Sequence, residues 1–372
     1  MSTEIIFLAP LPSLGKRTRL TKMSSVMLSL NYRIRFFGWE REEGEINELG
    51  PTNDQITEIV LMRGGGYAST AARARYPLWM AKVFLQVLRL GRNKVIFCLG
   101  WESAFPAVIA AWFTGSRIVF DDADRFSMIL RLPSIANRAL QALERWTSRR
   151  STLHIVPGFS RYDWQHEKMF VLRNCPLSTD YEKAALISLE RPKGSLVLYA
   201  NGWIGDTRGA PILLKLLNEA DLHDLDLHLV LAGRIEGLNA AMLTKHSKVT
   251  FVGEVPQSNA LAWYNVVDCV LTLYDPAVPI NRKAESNKWG DAIFLGCPII
   301  VNSEVETARE LVDASVAFSF PYGGVTELID LVSELIKRPE KIRRASLATE
   351  AVRPEYLEYD TQIKSILNRV LV

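Results

Sequence analysis

The stretch NRKAESNKWGDAIFLGCPIIVN, residues 281–302, decides the fold class and indicates a ligand site. A polar loop ending at Lys288 leads into a short helical pattern, Trp289 to Leu295, and then into the apolar strand Ile299–Val301. A helix N-terminus carries unpaired backbone N–H groups and a partial positive charge, to which Lys288 adds a full charge. The stretch therefore predicts an α/β protein in which the start of a helix binds a diphosphate.

Asp291 lies one turn further along the same helical pattern. A carboxylate is poorly suited to hold phosphate, but it accepts hydrogen bonds from hydroxyl groups. We therefore expect Asp291 to hold ribose hydroxyls beyond the phosphate-binding helix start. Together with Lys288, it predicts a site for a nucleotide-sugar.

The spacing of Lys288, Asp291, Gly296 and Pro298 resembles the K-x-x-E-x-x-x-x-G-x-P signature of group 1 (GT4-like) glycosyltransferases. That family has the GT-B fold, in which two Rossmann-like domains face a cleft. The resemblance implies that this segment binds the nucleotide-diphosphate-sugar donor. The donor site implied in this way also includes Glu285, Ser286 and Asn287.

Two further segments resemble donor-binding motifs of the same family. YANGWIGDTRGA, residues 199–210, resembles its glycine-rich loop, in which Gly205 would bring backbone N–H groups to an anion and Arg208 would contact the diphosphate. LAGRIEGL, residues 231–238, resembles a glycine-containing turn at a strand end. Arg234 in that turn either reaches phosphate or caps the strand.

Strand-like apolar runs alternate with helical patterns along the chain, which is typical of parallel sheets covered by helices. A length of 372 residues fits two domains. We predict an N-terminal acceptor-binding domain over residues 1–173, a linker over 174–193 and a C-terminal nucleotide-sugar-binding domain over 194–354. A last helix within residues 355–372 is expected to pack back on the first domain.

Composition argues against several other classes of protein. No apolar run reaches the ~20 residues needed to span a bilayer, and Glu4 replaces the basic start of a signal peptide. The 4 cysteines and 5 histidines lack the spacing of metal ligands or of a disulfide framework. We predict a metal-independent, cytoplasmic protein with no cofactor and no nucleic-acid partner.

Charge is distributed unevenly along the chain. The first 172 residues carry 23 Lys and Arg against 15 Asp and Glu, whereas the remainder carries 21 against 26. No acid occurs between Glu58 and Glu102, although seven cations and several aromatic residues do. This pattern favours an anionic membrane leaflet or a phosphate-bearing acceptor, and hence a peripheral position at the inner face of the cell membrane. The alternative is that these cations solvate a helix packed on the sheet.

The first half also contains a further donor-binding candidate, Gly15, and candidates for catalysis. The segment PLPSLGKRTRL resembles the family's N-terminal glycine loop, in which Gly15 lets the backbone approach the substrate. Glu102 and Asp121 follow strand ends and are candidates for the base that deprotonates an acceptor hydroxyl. An inverting transferase needs such a base, whereas a retaining one need not. For the cluster around Asp121, helix capping is the alternative role.

The residues and the resemblance together imply a hexosyltransferase-like glycosyltransferase. It would move a sugar from a nucleotide-diphosphate-sugar to a glycan or lipid-linked acceptor in polysaccharide assembly. A non-hydrolysing sugar-nucleotide epimerase with the same fold is one alternative. A non-catalytic partner subunit is another, because Lys283 stands where the family has an acid.

Overall fold

The computed structural model describes most of the chain, namely residues 4–45, 54–67, 74–130 and 132–371. It divides into two units. The first unit comprises Met1–Leu172 and Asp360–Val372, and the second comprises Arg173–Tyr359.

The first unit is built on a seven-stranded parallel sheet. Its strands are β1 (Glu4–Leu8), β2 (Arg33–Glu40), β3 (Ile56–Arg63), β4 (Val95–Leu99), β5 (Arg117–Asp121), β6 (Leu153–Val156) and β7 (Met169–Val171). They lie in the order β3-β2-β1-β4-β5-β6-β7. The described α-helices between them are α1 (Thr18–Ser29), α2 (Tyr76–Arg89), α3 (Trp101–Thr114), α4 (Phe126–Ile129) and α5 (Ser134–Arg150).

The second unit is built on a six-stranded parallel sheet. Its strands are β8 (Leu196–Ile204), β9 (Leu227–Ile235), β10 (Val249–Phe251), β11 (Cys269–Thr272), β12 (Ile299–Asn302) and β13 (Ala317–Phe320). They lie in the order β10-β9-β8-β11-β12-β13. Its α-helices are α6 (Ser178–Ala185), α7 (Ala210–Leu222), α8 (Leu238–Leu243), α9 (Gln257–Ala262), α10 (Asn287–Phe294), α11 (Arg309–Asp313), α12 (Val325–Lys337) and α13 (Pro339–Val352).

The central strands of each sheet are buried, as expected for a parallel sheet that is covered on both faces. The four residues Ile5–Leu8 of β1 and all five of β4 are buried, without the alternation of a half-exposed strand. Parallel strands with helices on both sides have this continuous apolar pattern. In the second unit, β11 and β12 are buried throughout in the same way. The predicted α/β class with two Rossmann-like domains is confirmed.

Each sheet reverses its strand order beside its first strand. In the first unit the chain adds β2 and β3 on one side of β1 and then β4 on the other. In the second unit it adds β9 and β10 on one side of β8 and then β11 on the other. Ligands of open α/β sheets bind outside the carboxyl ends of the strands at such a reversal. Ligands are therefore expected near the loops after β1, β4, β8 and β11.

Several elements differ from the boundaries that the sequence indicates. Strand β8 continues to Ile204, because residues 201–204 keep their register with residues 232–235 of β9. Helix α10 begins at Asn287 rather than Trp289, because the Ser286 side chain caps it. Residues 174–193 contain α6 and belong to the second unit.

The last helix, α14 (Tyr359–Leu371), belongs to the first unit from Asp360 onward. The Arg117 guanidinium at the start of β5 donates to the carbonyl oxygen of Val370 at 2.7 Å. The Arg369 guanidinium lies 5.1 Å from the ring centre of Phe170 in β7. Across the described ranges, no helix combines the length and the apolar character needed to cross a membrane.

Replacing Trp79 by alanine is expected to destabilise the first unit strongly. Its indole is fully buried, stacks on Trp39 at 6.0 Å and donates to the Ser103 hydroxyl at 3.2 Å. Loss of such a side chain costs about 3–5 kcal/mol of unfolding free energy. Trp112→Ala, at a mostly exposed tryptophan, is the control and should cost about 0.5 kcal/mol or less. Denaturant unfolding followed by circular dichroism would contradict this expectation if the two variants lost stability equally.

Candidate functional site

A tight turn after β8 fixes the position of Arg208. The 3-10 turn Asp206–Arg208 leads into α7, and the Gly205 carbonyl accepts from the N–H groups of Arg208 at 2.9 Å and Ala210 at 3.1 Å. Gly209 closes the turn with a φ of 86°, and a Cβ there would stand 2.5 Å from a Leu273 methyl carbon. Only glycine fits this position.

Aromatic rings hold the Arg208 guanidinium in place near the carboxyl end of β8. It lies 4.5 Å from the ring centre of Tyr274 and 5.5 Å from that of Trp203. Its Nη1 donates to the Asn281 side-chain oxygen at 3.5 Å. Within the described ranges, no carboxylate forms an ion pair with it. The positive charge is therefore positioned yet available to an anion.

The N-terminus of α10 is directed to the same end of β8. The buried Ser286 hydroxyl caps the helix by accepting from the Lys288 N–H at 3.3 Å. Trp289 anchors the first turn, because its indole N–H donates to the Thr272 hydroxyl of β11 at 3.0 Å. The Lys288 ammonium lies beside the backbone of Gly202 in β8. A helix N-terminus and a lysine thus converge on one strand end.

Asp291 is buried on the second turn of α10. One of its carboxylate oxygens accepts from the Gln257 side-chain amide at 3.4 Å. Burial first, and then the Asp291 charge, raise the pKa of the neighbouring Tyr264 well above its ordinary value. The carboxylate is therefore held in a region of low polarity, where hydrogen bonds to it are strong.

The remaining donor candidates are distributed over both units. Asn287 is exposed at the start of α10, and Glu285 is half-buried two residues before it. Arg234 is exposed near the end of β9, where it is paired in register with Trp203. Gly15 lies in the first unit, in an exposed turn after β1. The candidates of the second unit therefore lie on β8, β9 and α10 or directly beside these elements, whereas Gly15 belongs to the first unit.

Glu102 occupies the first turn of α3, directly after β4. Gly100 precedes the helix with a φ of 78°, and a Cβ there would stand 2.6 Å from the Glu102 carboxyl, so glycine leaves room for this side chain. Glu102 is 7% exposed, and its Oε2 has no hydrogen-bond partner in the described part of the chain. Burial, and secondarily the Asp122 charge, raise the pKa of the Glu102 carboxyl to about 7.

Asp121 is in a different situation at the end of β5. The Arg19 guanidinium contacts both of its carboxylate oxygens, at 2.7 Å and 3.0 Å, and both side chains are buried. Burial raises the pKa of Asp121, while the Arg19 charge opposes that effect. Next to it, Asp122 accepts from the Tyr162 hydroxyl at 2.8 Å. Asp121 is thus engaged within the protein, whereas Glu102 faces a cavity.

The cavity that contains Glu102 has a volume of about 370 Å³ and lies at the strand reversal of the first sheet. Its polar lining includes Arg41, which the sequence reasoning missed. Arg41 directly follows β2, so a cation immediately after a buried strand was the available signal. The same cavity is lined by Arg17, Tyr67, Tyr76, Asp124 and Phe126.

No protein-family model and no curated protein matches the sequence. Several solved structures are nevertheless similar to nearly the whole chain. The sucrose-phosphate synthase of Thermosynechococcus elongatus has a TM-score of 0.65 at 11% identity, covering 99% of both chains. HepE of Anabaena in complex with UDP has 0.66 at 16%, covering 98% of this chain and 99% of its own. An α,α-trehalose 6-phosphate synthase from Burkholderia multivorans has 0.65 at 9%, covering 100% and 98%.

The chain has the GT-B fold. The fold that the sequence motifs predict is therefore confirmed. In this GT-B protein, the switch point of the second sheet carries Arg208, Lys288 and the N-terminus of α10. The switch point of the first sheet carries Glu102. Among the residues that the structure describes, no group of three or more His, Cys, Asp or Glu side chains is arranged to hold a metal ion.

The Glu102 carboxyl is expected to make the stability of this GT-B protein depend on pH. Between its ordinary pKa of 4.5 and its folded value of about 7, the folded protein keeps a proton that the unfolded chain has lost. The free energy of unfolding therefore falls as pH rises through this range, by about 3 kcal/mol at most. Glu102→Gln cannot ionise, so its stability relative to the wild type should increase from pH 5 to pH 8. A difference that does not change with pH, measured by urea unfolding, would contradict this assignment.

Proposed function

We propose that the protein is a glycosyltransferase that uses a nucleotide-diphosphate-sugar. The observation that carries this proposal is the convergence of Arg208, Lys288 and the N-terminus of α10 at the end of β8. Two cations and a helix N-terminus at a switch point form a suitable site for a diphosphate. Structures of Anabaena HepE in complex with UDP and with UDP-glucose, which share the fold, support this choice of ligand.

The second unit would bind the donor and stabilise its leaving group. When the bond from the anomeric carbon to the diphosphate oxygen breaks, negative charge develops on the diphosphate. Arg208, Lys288 and the backbone N–H groups around Ser286 would stabilise that charge without a metal ion. Asp291 would accept hydrogen bonds from ribose hydroxyls, while Gly205, Arg234, Glu285 and Asn287 complete the surroundings of the nucleotide.

The first unit would bind the acceptor. Glu102 is the better candidate for the base, because its Oε2 is unpartnered among the described residues and lines a cavity. With a pKa of about 7, a substantial fraction of this carboxyl is ionised at neutral pH and can take the proton of an acceptor hydroxyl. The hydroxyl oxygen then forms the new bond to the anomeric carbon. Asp121, which is bound by Arg19, is the second candidate.

A surface of the first unit supports a peripheral position on a membrane that carries a lipid-linked acceptor. We call it the three-helix face, formed by the exposed residues of α2, α3 and α5. The Phe84 and Phe113 rings, 6.5 Å apart, connect α2 to α3, and the Trp112 and Trp146 rings, 5.7 Å apart, connect α3 to α5. Trp112 is 62% exposed and Phe113 is 66% exposed. Other exposed apolar side chains on these helices are Leu78, Leu85, Leu88, Ile135 and Leu143.

The charges of the three-helix face have one sign. The acids of its helices, Glu102 and Glu144, are both buried. Four exposed arginines remain, namely Arg89, Arg138, Arg149 and Arg150. The last three line one groove along α5 together with Trp146. Exposed tryptophan and phenylalanine beside arginine are suited to the interface of an anionic bilayer.

Unlike the exposed arginines of the three-helix face, two of the seven cations between Glu58 and Glu102 are bound to backbone oxygens. The Arg75 guanidinium donates to the Arg63 carbonyl at 3.0 Å, and the Lys82 ammonium donates to the Leu61 carbonyl at 2.8 Å. Arg73 lies outside the described residues. Since Arg75 and Lys82 are held by backbone oxygens, the three-helix face is the better membrane candidate.

Arg208→Ala and Lys288→Ala are each expected to weaken UDP binding about 10- to 100-fold, because each removes a charged contact to the diphosphate. Lys337→Ala is the matched control, since it removes an exposed lysine from the last turn of α12. Calorimetry measures the affinity, and thermal unfolding verifies the fold. Unchanged affinity in both variants would refute the donor site.

Two outcomes of a turnover assay with the nucleotide-sugar, run beside the calorimetry, separate the alternatives. Interconversion of the nucleotide-sugar without any acceptor would favour an epimerase. Tight donor binding with neither transfer nor hydrolysis would favour a non-catalytic partner subunit. Transfer that persists in excess chelator is the result expected of a metal-independent enzyme.

The Trp112→Ala, Arg149→Gln, Arg150→Gln triple variant is expected to lose most co-sedimentation with phosphatidylglycerol vesicles. Wild-type binding should weaken as salt rises, because screening limits surface charge to a reach of about 8 Å at physiological ionic strength. The Arg75→Gln, Lys82→Gln double variant is the control and should bind nearly as the wild type does. Binding that is independent of salt, or retained by the triple variant, would contradict a membrane role. Concentration-dependent dimerisation lost in the triple variant would indicate a second copy instead.

A further inference from the structure

The cavity that contains Glu102 also contains a buried arginine, Arg41, for which the described ranges provide no ion pair. Arg41 is 9% exposed, and its guanidinium lies 4.3 Å from the ring centre of Trp39. The rings of Tyr67 and Tyr76 are also close, at 5.3 Å and 5.5 Å. Its Nε donates to the Pro10 carbonyl at 3.3 Å. In the described ranges, no carboxylate forms an ion pair with the guanidinium of Arg41.

The carboxylate of Glu45, four residues after Arg41, is already occupied. One oxygen of Glu45 accepts from the backbone N–H groups of Arg41 and Glu42, at 3.0 Å and 3.1 Å. The other oxygen accepts from the Tyr67 hydroxyl at 2.6 Å and pairs with the Lys16 ammonium at 3.2 Å. Glu45 therefore fixes the loop that carries Arg41, and among the described contacts it forms no ion pair with the guanidinium.

A buried charge is costly when, as for Arg41 within the described ranges, no ion pair offsets its burial. Hydrogen bonds and ring contacts offset part of the cost for Arg41. They leave its positive charge directed at a cavity of about 370 Å³, near the lower end of the range for small-molecule sites. An anionic ligand would supply the missing charge.

A second buried group in the same cavity, the Glu102 carboxyl, is suited to a different part of a ligand. The Oε2 of Glu102 lines the cavity and has no partner in the part of the chain that the structure describes. The neighbouring cation Arg17 is paired with Asp124 at 3.1 Å, so it is less available than Arg41. A buried carboxyl group whose oxygen faces a cavity is well suited to form a hydrogen bond with a hydroxyl group.

We propose that this cavity binds an acceptor sugar bearing a carboxylate or a phosphate. The anionic group contacts the Arg41 guanidinium, and a sugar hydroxyl contacts Glu102. The role of this ligand as acceptor rests on the proposed function, whereas its binding does not. Tyr67, Tyr76 and Phe126 provide the apolar walls against which a sugar ring packs.

Binding without donor tests the proposal independently of transfer. Glucose, glucuronate and glucose 6-phosphate are titrated into the wild type by calorimetry. We expect at least one of the two anionic sugars to bind ten-fold or more tighter than glucose. Preference for glucuronate identifies a carboxylate as the recognised group, and preference for glucose 6-phosphate identifies a phosphate. Equal affinities for all three sugars, or no binding of either anionic sugar, would overturn the proposal.

Variants of Arg41 complete the experiment. Arg41→Gln should abolish the preference for the anionic sugar, and Arg41→Lys should restore part of it. Arg33→Gln is the matched control, because it removes an exposed arginine from the opposite end of β2. A preference that survives in Arg41→Gln would overturn the assignment. UDP affinity, measured on the same samples, shows whether the second unit is intact, so failure of the acceptor proposal is distinguishable from failure of the donor site.

Discussion

The reversal of strand order beside β1 and beside β8 is the constraint on which both candidate sites depend. A parallel sheet directs the carboxyl ends of all its strands to one edge, and the reversal separates two neighbouring loops there because they lead to opposite faces. Side chains that are distant in sequence are thereby gathered at that point. Arg208 and Lys288 are 80 positions apart along the chain, yet both lie at the end of β8.

The two reversals carry different sets of charged groups. In the second unit, Arg208 and the N-terminus of α10 create a region of positive potential at the end of β8. In the first unit, Glu102 and Arg41 place a carboxyl and a guanidinium in the same cavity. A site whose charged groups are all positive selects ligands by their charge. A site with both a positive and a negative group also selects the orientation in which the ligand binds. This difference fits the proposed donor, which has one dominant anionic group, and the proposed acceptor, which must present a particular hydroxyl.

The fold could be predicted from the sequence because the central strands of both sheets are buried on both faces. Runs such as VIFCL in β4 and RIVFD in β5 have the limits that the apolar pattern indicates. Short strands such as β7 and β13, with three and four residues, give a weaker apolar signal. Arg208, Lys288 and Asp291 could be singled out because each belongs to a local motif. Arg41 belongs to no such motif: its position directly after a buried strand is a weak signal, and the cavity that it shares with Tyr67 and Tyr76 is formed only in the folded chain.

The first unit is formed by two separate stretches of the chain, and this affects the order of folding. Its sheet is complete once residue 172 has been synthesised, but its last helix follows the whole of the second unit. The residues Ile363, Ile366 and Val370 of that helix are buried. A nascent chain therefore carries an unfinished first unit, with part of its apolar surface open to water, throughout the synthesis of the second. At about 5–20 residues per second, the second unit's 187 residues prolong that exposure by some ten seconds or more. Chaperones would have that interval in which to act on the first unit.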